Sequence, residues 1–237
     1  MTKKATIYIL FGFMGAFLSV LFSNCSGGAP SKSSQQSSLS KICNPGPGAS
    51  GSPRTIEDVV VLINSLPKPV SIGCFLESLD RPLDIYGTFS SSSAQPSDGP
   101  SDPRIFIFKN TLAISVVTNG AAQEFMEFGL MLPGNVSQKG ELKFPIQNEL
   151  SITAPFDEIR SNGGTGCVFC HANERPGPSP NSFVSEIIRP SSFTRVSLDA
   201  MKTESALCNS ASGAITHRCS IFKGIFNYGQ VRGKDFP

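Results

Sequence analysis

The most constraining stretch is a pair of apolar, β-branched and aromatic runs with almost nothing between them. Arg104-Ile105-Phe106-Ile107-Phe108 and Thr111-Leu112-Ala113-Ile114-Ser115-Val116-Val117 are separated only by Lys109-Asn110. Runs this short, joined by two residues, spell a β-hairpin. More strand signals surround it. Residues 83–89 form one; residues 124–132 alternate Phe125, Glu127, Gly129 and Met131 against Met126, Phe128, Leu130 and Leu132; residues 141–146 and 149–153 follow. The expectation is an α+β fold, a β-rich antiparallel sheet or sandwich with short helices.

Helix signals lie at either end. Thr55 stands as N-cap before Ile56, Val59, Val60 and Ile63 at helical spacing, and Pro67 stops the element beyond Leu66. Residues 69–79 read as a strand entering a turn at Asp80-Arg81-Pro82. Residues 90–103, rich in Ser, Pro, Gly and Asp, read as a long mobile loop. Helical pieces are expected at 182–188, 197–207 and 220–228, the last closed by Gly229.

The front of the chain has a different character. Lys3 and Lys4 precede an apolar run from Ile7 to Phe22, the pattern of a secretory signal peptide over residues 1–24. The ending Phe22-Ser23-Asn24-Cys25 resembles a bacterial lipobox, with Phe22 in place of the usual Leu and Asn24 in place of Gly or Ala. The resemblance implies acylation at Cys25; otherwise Cys25 is an unpaired cysteine of a secreted protein. Residues 25–54 are rich in Ser, Gly, Pro and Gln and read as a flexible tether, leaving residues 55–237 as a single β-rich domain. Without Lys3 and Lys4, the 20 Lys and Arg fall to 18, equal to the 18 Asp and Glu, so no basic surface supports nucleic-acid binding. The expected place is the bacterial cell envelope, periplasmic or surface-facing, with the membrane contacted through the lipid.

Seven cysteines divide neatly under that reading. With Cys25 lipidated, Cys43, Cys74, Cys208 and Cys219 make an even set suited to two disulfides in an oxidising compartment. Of the three possible connectivities, proximity favours Cys43–Cys74 and Cys208–Cys219. The first would staple the end of the tether to the domain.

The remaining two cysteines stand in Cys167-Val168-Phe169-Cys170-His171, after a glycine-rich approach at 161–166. Thiols at this spacing, followed at once by an imidazole, form the attachment signature of covalent haem c: Cys167 and Cys170 as thioether anchors and His171 as the proximal iron ligand. Met201 is the expected sixth ligand; His217, an open site, and at longer odds Met126 and Met131 are the alternatives. Two further readings compete. The thiols could be a disulfide or a redox pair, or half of a zinc site completed by His217 with Cys208 or Cys219.

The five-residue element resembles the c-type cytochromes, although the strands ahead of it do not look like a small helical cytochrome. Residues 62–82 are similar to exported bacterial proteins that also carry a Cys-x-x-Cys-His element, a similarity that brings no activity with it. It implies one integrated domain with the motif in a helical or loop segment at 161–237. No Gly-x-Ser-x-Gly or His-Glu-x-x-His element occurs, and the carboxylates Glu124, Glu127, Asp157 and Glu158 cannot be paired without a fold. The expectation is thus an electron-transfer haem lipoprotein working with a redox partner protein. The alternative is a cofactor-free, disulfide-stabilised β-rich lipoprotein acting as a binding or envelope-structural module. Neither reading asks for an enzyme.

Overall fold

A computed structural model of the chain describes residues 40–211 and 216–237. The expected signal peptide, Cys25 and the expected tether up to residue 39 lie outside the described residues.

Helix α1 (Ile56–Ser65) begins where Thr55 and Asp58 cap each other. The Thr55 hydroxyl accepts from the Asp58 N–H at 3.0 Å, and the Asp58 carboxylate accepts from the Thr55 N–H at 3.0 Å. Its buried stripe is Ile56, Val59, Val60, Leu62 and Ile63.

Helix α2 (Ile72–Ser78) corrects the strand expected at 69–79. Ser71 accepts from the Cys74 N–H at 3.1 Å as N-cap. Ile72, Phe75, Leu76 and Leu79, all buried, recur at i, i+3, i+4 and i+7, so the period was helical.

The sheet comprises β1 (Leu83–Thr88), β2 (Arg104–Lys109), β3 (Leu112–Val117), β4 (Phe125–Leu132), β5 (Val136–Lys143), β8 (Arg175–Pro176), β9 (Phe183–Glu186), β10 (Arg195–Val196) and β11 (Val231–Gly233). It has nine strands, eight in the order β10-β1-β2-β3-β4-β5-β9-β8 and the ninth, β11, beside β1. The outer edge of β1 is shared: β10 pairs antiparallel with Gly87 and Thr88, while β11 pairs parallel with Leu83, Asp84 and Ile85. The fold is α+β around one mixed sheet. The hairpin lies at its centre, in register from Arg104↔Val117 to Lys109↔Leu112.

Two other expectations change. Residues 149–153 form no strand but lead into the short helix α3 (Ala154–Glu158), whose first turn accommodates Pro155. Residues 183–186 are strand β9 and not helix, because they are recruited as partners by β5. The glycine-rich approach to the cysteines is a tight ribbon, β6 (Arg160–Ser161) and β7 (Gly164–Thr165), turning through Asn162 and Gly163 at φ 47° and 85°.

Helices α1, α2 and α3, with α4 (Leu198–Ser210) and α5 (His217–Phe226), cover one face of the sheet. The core lies between them, built from Ile85, Ile107, Ile114, Met126 and Phe128 of the strands and Phe75, Phe156 and Phe222 of the helices. Helices α2 and α5 cross so closely that a Cβ on Gly224 would stand 2.7 Å from the Gly73 carbonyl oxygen. Among the described residues no helix is long and apolar enough to cross a membrane.

Two disulfides brace this half, Cys43–Cys74 and Cys208–Cys219, the pairing that proximity favoured. The first holds residues 41–52 against the domain. There Lys41 donates to the Leu79 carbonyl at 2.8 Å, and Ser52 donates to the Asp80 carboxylate at 2.9 Å. The loop at 90–103 carries no strand, yet it is pinned: Gln95 is fully buried, and its amide donates to the Phe125 carbonyl at 2.9 Å.

Candidate functional site

The face of the sheet turned away from the helices is only partly covered. Near β1 it is apolar. Phe236 lies edge-on to Tyr86, Phe106 and Phe108, at centroid distances of 5.9, 5.1 and 5.5 Å. Across β3, β4 and β5 it turns polar, because register aligns Ser115 with Glu127 and Glu127 with Glu141, while Gly129 aligns with Lys139. Above this floor the loop at 90–95, the segment at 158–171 and the segment at 187–194 leave a groove of about 620 Å³.

The floor is electrostatically organised. Arg104 pairs with Glu127 at 2.5 Å and donates to Ser115 at 2.8 Å and Ser93 at 2.6 Å. The other Glu127 oxygen, Oε1, is buried with no hydrogen-bond partner. Beside it, burial and then repulsion from Glu127 and Glu158 push the Glu141 carboxyl up to about 7. Burial pulls the Lys139 ammonium down to about 8, against the opposing pull of Cys167 and Glu127.

The cysteine segment forms the wall. Cys167 sits in a single turn of 3₁₀ helix over Gly166–Phe169, capped by Thr165, whose hydroxyl accepts from the Cys167 N–H at 3.1 Å. Glu174 clamps Thr165 in turn, accepting from its N–H at 2.9 Å and from its hydroxyl. The clamp explains Gly164, where a Cβ would meet the Glu174 carboxylate at 2.5 Å. Glu186 of β9 ties down the far end: its N–H donates to the Ala172 carbonyl at 3.0 Å, and its carboxylate accepts from Asn173. Its carbonyl lies 2.7 Å from His171 Nδ1, so that nitrogen carries the proton. Lys139 Nζ, 3.4 Å from the same nitrogen, is then a neighbour and not a donor to it. Burial and Lys139 lower the His171 pKa, while the carbonyl opposes them.

The structure does not bring the expected haem ligands together. Met201 is buried on the helix-covered face, where its sulfur would lie 2.8 Å from a Cβ on Gly87. The sheet therefore separates it from His171. His217 opens α5 on the helix side, and its Nε2 is buried there without a hydrogen-bond partner. Met126 is sealed in the core; Met131 reaches the groove but packs on the Phe106 and Phe108 cluster. Among the described residues no group of three or more His, Cys, Asp or Glu side chains is placed to hold a metal ion. The zinc alternative fails as well, since Cys208 and Cys219 are bonded to each other.

No family model matches the chain, and neither a curated protein nor a solved structure is found similar to it. The resemblance to c-type cytochromes is therefore not upheld. It rests on five residues, and among the described residues nothing around them completes an iron site. The fold and disulfides define a disulfide-stabilised, β-rich α+β module. Its distinguishing feature is the walled polar groove.

The floor residues were not legible as a site. Glu127 stood out only as one carboxylate among several, Arg104 and Glu141 only as parts of strands, and Lys139 fell between two expected strands. The one available signal was Arg104, Ser115 and Glu127 at outward positions of strands that should otherwise alternate cleanly.

Proposed function

We propose that the protein is an exported, lipid-anchored binding module of the bacterial envelope that holds a small polar ligand in the groove. The observation that carries this reading is Glu127, which lines a groove of about 620 Å³ and whose Oε1 is buried without a hydrogen-bond partner. A volume of this order is typical of small-molecule sites, on the order of 300–1,000 Å³. A buried acceptor without a donor costs free energy that a ligand N–H or O–H would recover. The ligand class is thus a small molecule with a donor for Glu127 and an acceptor for Lys139, as in amino acids and sugars. The apolar strip of Phe106 and Met131 beside the charges fits an aliphatic or ring portion of the same molecule.

Gly129 supplies the test. It lies on the groove floor, where a Cβ would meet only the Ser137 side chain at ordinary contact distance. A Gly129→Phe chain should therefore fold normally and fill the groove. With the full chain matured in a periplasm, amino acids and monosaccharides are screened by thermal shift. One or more should raise the melting temperature of the wild type in a dose-dependent way and leave Gly129→Phe unmoved. Equal shifts in both chains, or none across the panel, would overturn the groove reading. Covalent haem surviving denaturation would overturn the cofactor-free one.

A further inference from the structure

The groove wall also carries chemistry that ligand binding does not use. Cys167 and Cys170 are free thiols in a chain whose other described cysteines are all paired. They sit one helical turn apart, the Cys170 N–H donating to the Cys167 carbonyl at 3.1 Å and the His171 N–H to the same oxygen at 2.9 Å. Residues three apart on a helical turn have Cβ atoms about 5–6 Å apart. Disulfides need Cβ atoms roughly 3.5–4.5 Å apart, so this pair bonds once the single turn tightens by about 1–2 Å. The turn is held at both ends, by Thr165 and Glu174 on one side and by Glu186 on the other. Both thiols line the groove, but they differ in exposure: Cys170 is exposed, while Cys167 is half-buried. Phe169 and Val168 between them project into solvent, 88% and 51% exposed, leaving the approach to Cys170 apolar and open.

We propose that Cys167 and Cys170 are a thiol–disulfide exchange pair, with Cys170 the attacking and Cys167 the resolving thiol, acting on an organic disulfide presented at the groove mouth. The Cys170 thiolate attacks one sulfur of the substrate disulfide. That bond breaks, a mixed disulfide forms on Cys170, and the first substrate thiolate leaves and takes up a proton. Cys167 then attacks the Cys170 sulfur, losing its proton by way of solvent to the second departing thiolate. The products are a Cys167–Cys170 disulfide and two substrate thiols; the substrate has gained the two electrons that the pair has lost. Burial raises the Cys167 pKa, opposed by its bond with Thr165, which suits a thiol that waits for the mixed disulfide.

The probe is dithiobis(nitrobenzoate), applied to the full matured chain after mild reduction that spares Cys43–Cys74 and Cys208–Cys219. The wild type should release two nitrothiophenolates per chain and end with an internal Cys167–Cys170 bond and no adduct, as read by intact mass. Cys167→Ser should release one and retain the adduct on Cys170. Cys170→Ser should react about tenfold more slowly or worse, since its remaining thiol is the shielded one. A wild type that ends with two stable adducts overturns the proposal. So does a Cys170→Ser chain as fast as Cys167→Ser, or a pair that fails to react in a chain whose circular dichroism is native.

Discussion

On the face that meets the helices, β2, β3 and β4 present Ile105, Ile107, Ile114, Val116, Met126 and Phe128, all closed to solvent. On the opposite face the same strands present Arg104, Ser115, Glu127 and Gly129. Alternation along one strand thus feeds two surfaces with different tasks. The first is continuous, apolar and braced by both disulfides. The second is charged, incompletely filled and roofed by loops. The difference teaches that stability and recognition are separated here by the thickness of one sheet, so substitutions on one side should leave the other nearly untouched.

The harshest break of that separation is Phe75→Ala or Phe222→Ala. Both rings are fully buried on the helix side, and either loss should cost about 3–5 kcal/mol by urea unfolding. Removing the disulfides should come next. The loop closed by Cys43–Cys74 spans 31 residues and that of Cys208–Cys219 spans 11, so replacing each pair by Ala should cost about 4 and about 3 kcal/mol respectively. Gly224→Ala should cost about 1–3 kcal/mol, because the clash is with the Gly73 backbone and not with a movable side chain.

Changes on the groove side should be smaller and should move titrations instead. Glu127→Gln should cost about 1 kcal/mol and lower the midpoint of Glu141, whose carboxyl loses a repelling neighbour. The pH dependence has two limbs. Folded Glu141, at about 7, holds its proton more tightly than an ordinary carboxyl at 4.5, so its contribution to stability is full below 4.5 and lost as pH rises to about 7. Lys139, at about 8 against 10.5, contributes fully above 10.5 and loses that contribution as pH falls to about 8. Together they place a floor between about 7 and 8 in these two contributions. Glu141→Gln should flatten the acid limb and Lys139→Met the alkaline one, measured as urea midpoints across the range.

What the sequence disclosed tracks this division. The central hairpin and α1 were legible because their apolar residues are dense and their caps local. Helix α2 was mistaken for a strand because Pro69-Val70-Ser71 opens the segment in extended conformation before Ser71 caps seven helical residues. Strand β9 was mistaken for a helix because its pairing partners in β5 lie 46 to 50 residues earlier and nothing local dictates it. The groove was illegible for the same reason. Ser115, Glu127 and Glu141 become neighbours only through the register of three strands. The Cys-x-x-Cys-His element, by contrast, was conspicuous and suggested a cofactor that its surroundings do not support.

The shared outer edge of β1 has a kinetic consequence. Arg232 of β11 bonds Asp84 of β1 at 2.7 Å across 148 residues of chain, and Phe236 completes the aromatic cluster beyond it. A nascent chain emerging N-terminus first therefore cannot close this edge until residues 231–236 are free. Contacts of such long range slow folding, because the loop must close before pairing rewards it. Until then β1 offers an open row of backbone donors and acceptors. A chain in that condition is open to mispairing along this edge for longer than along any edge closed by local contacts.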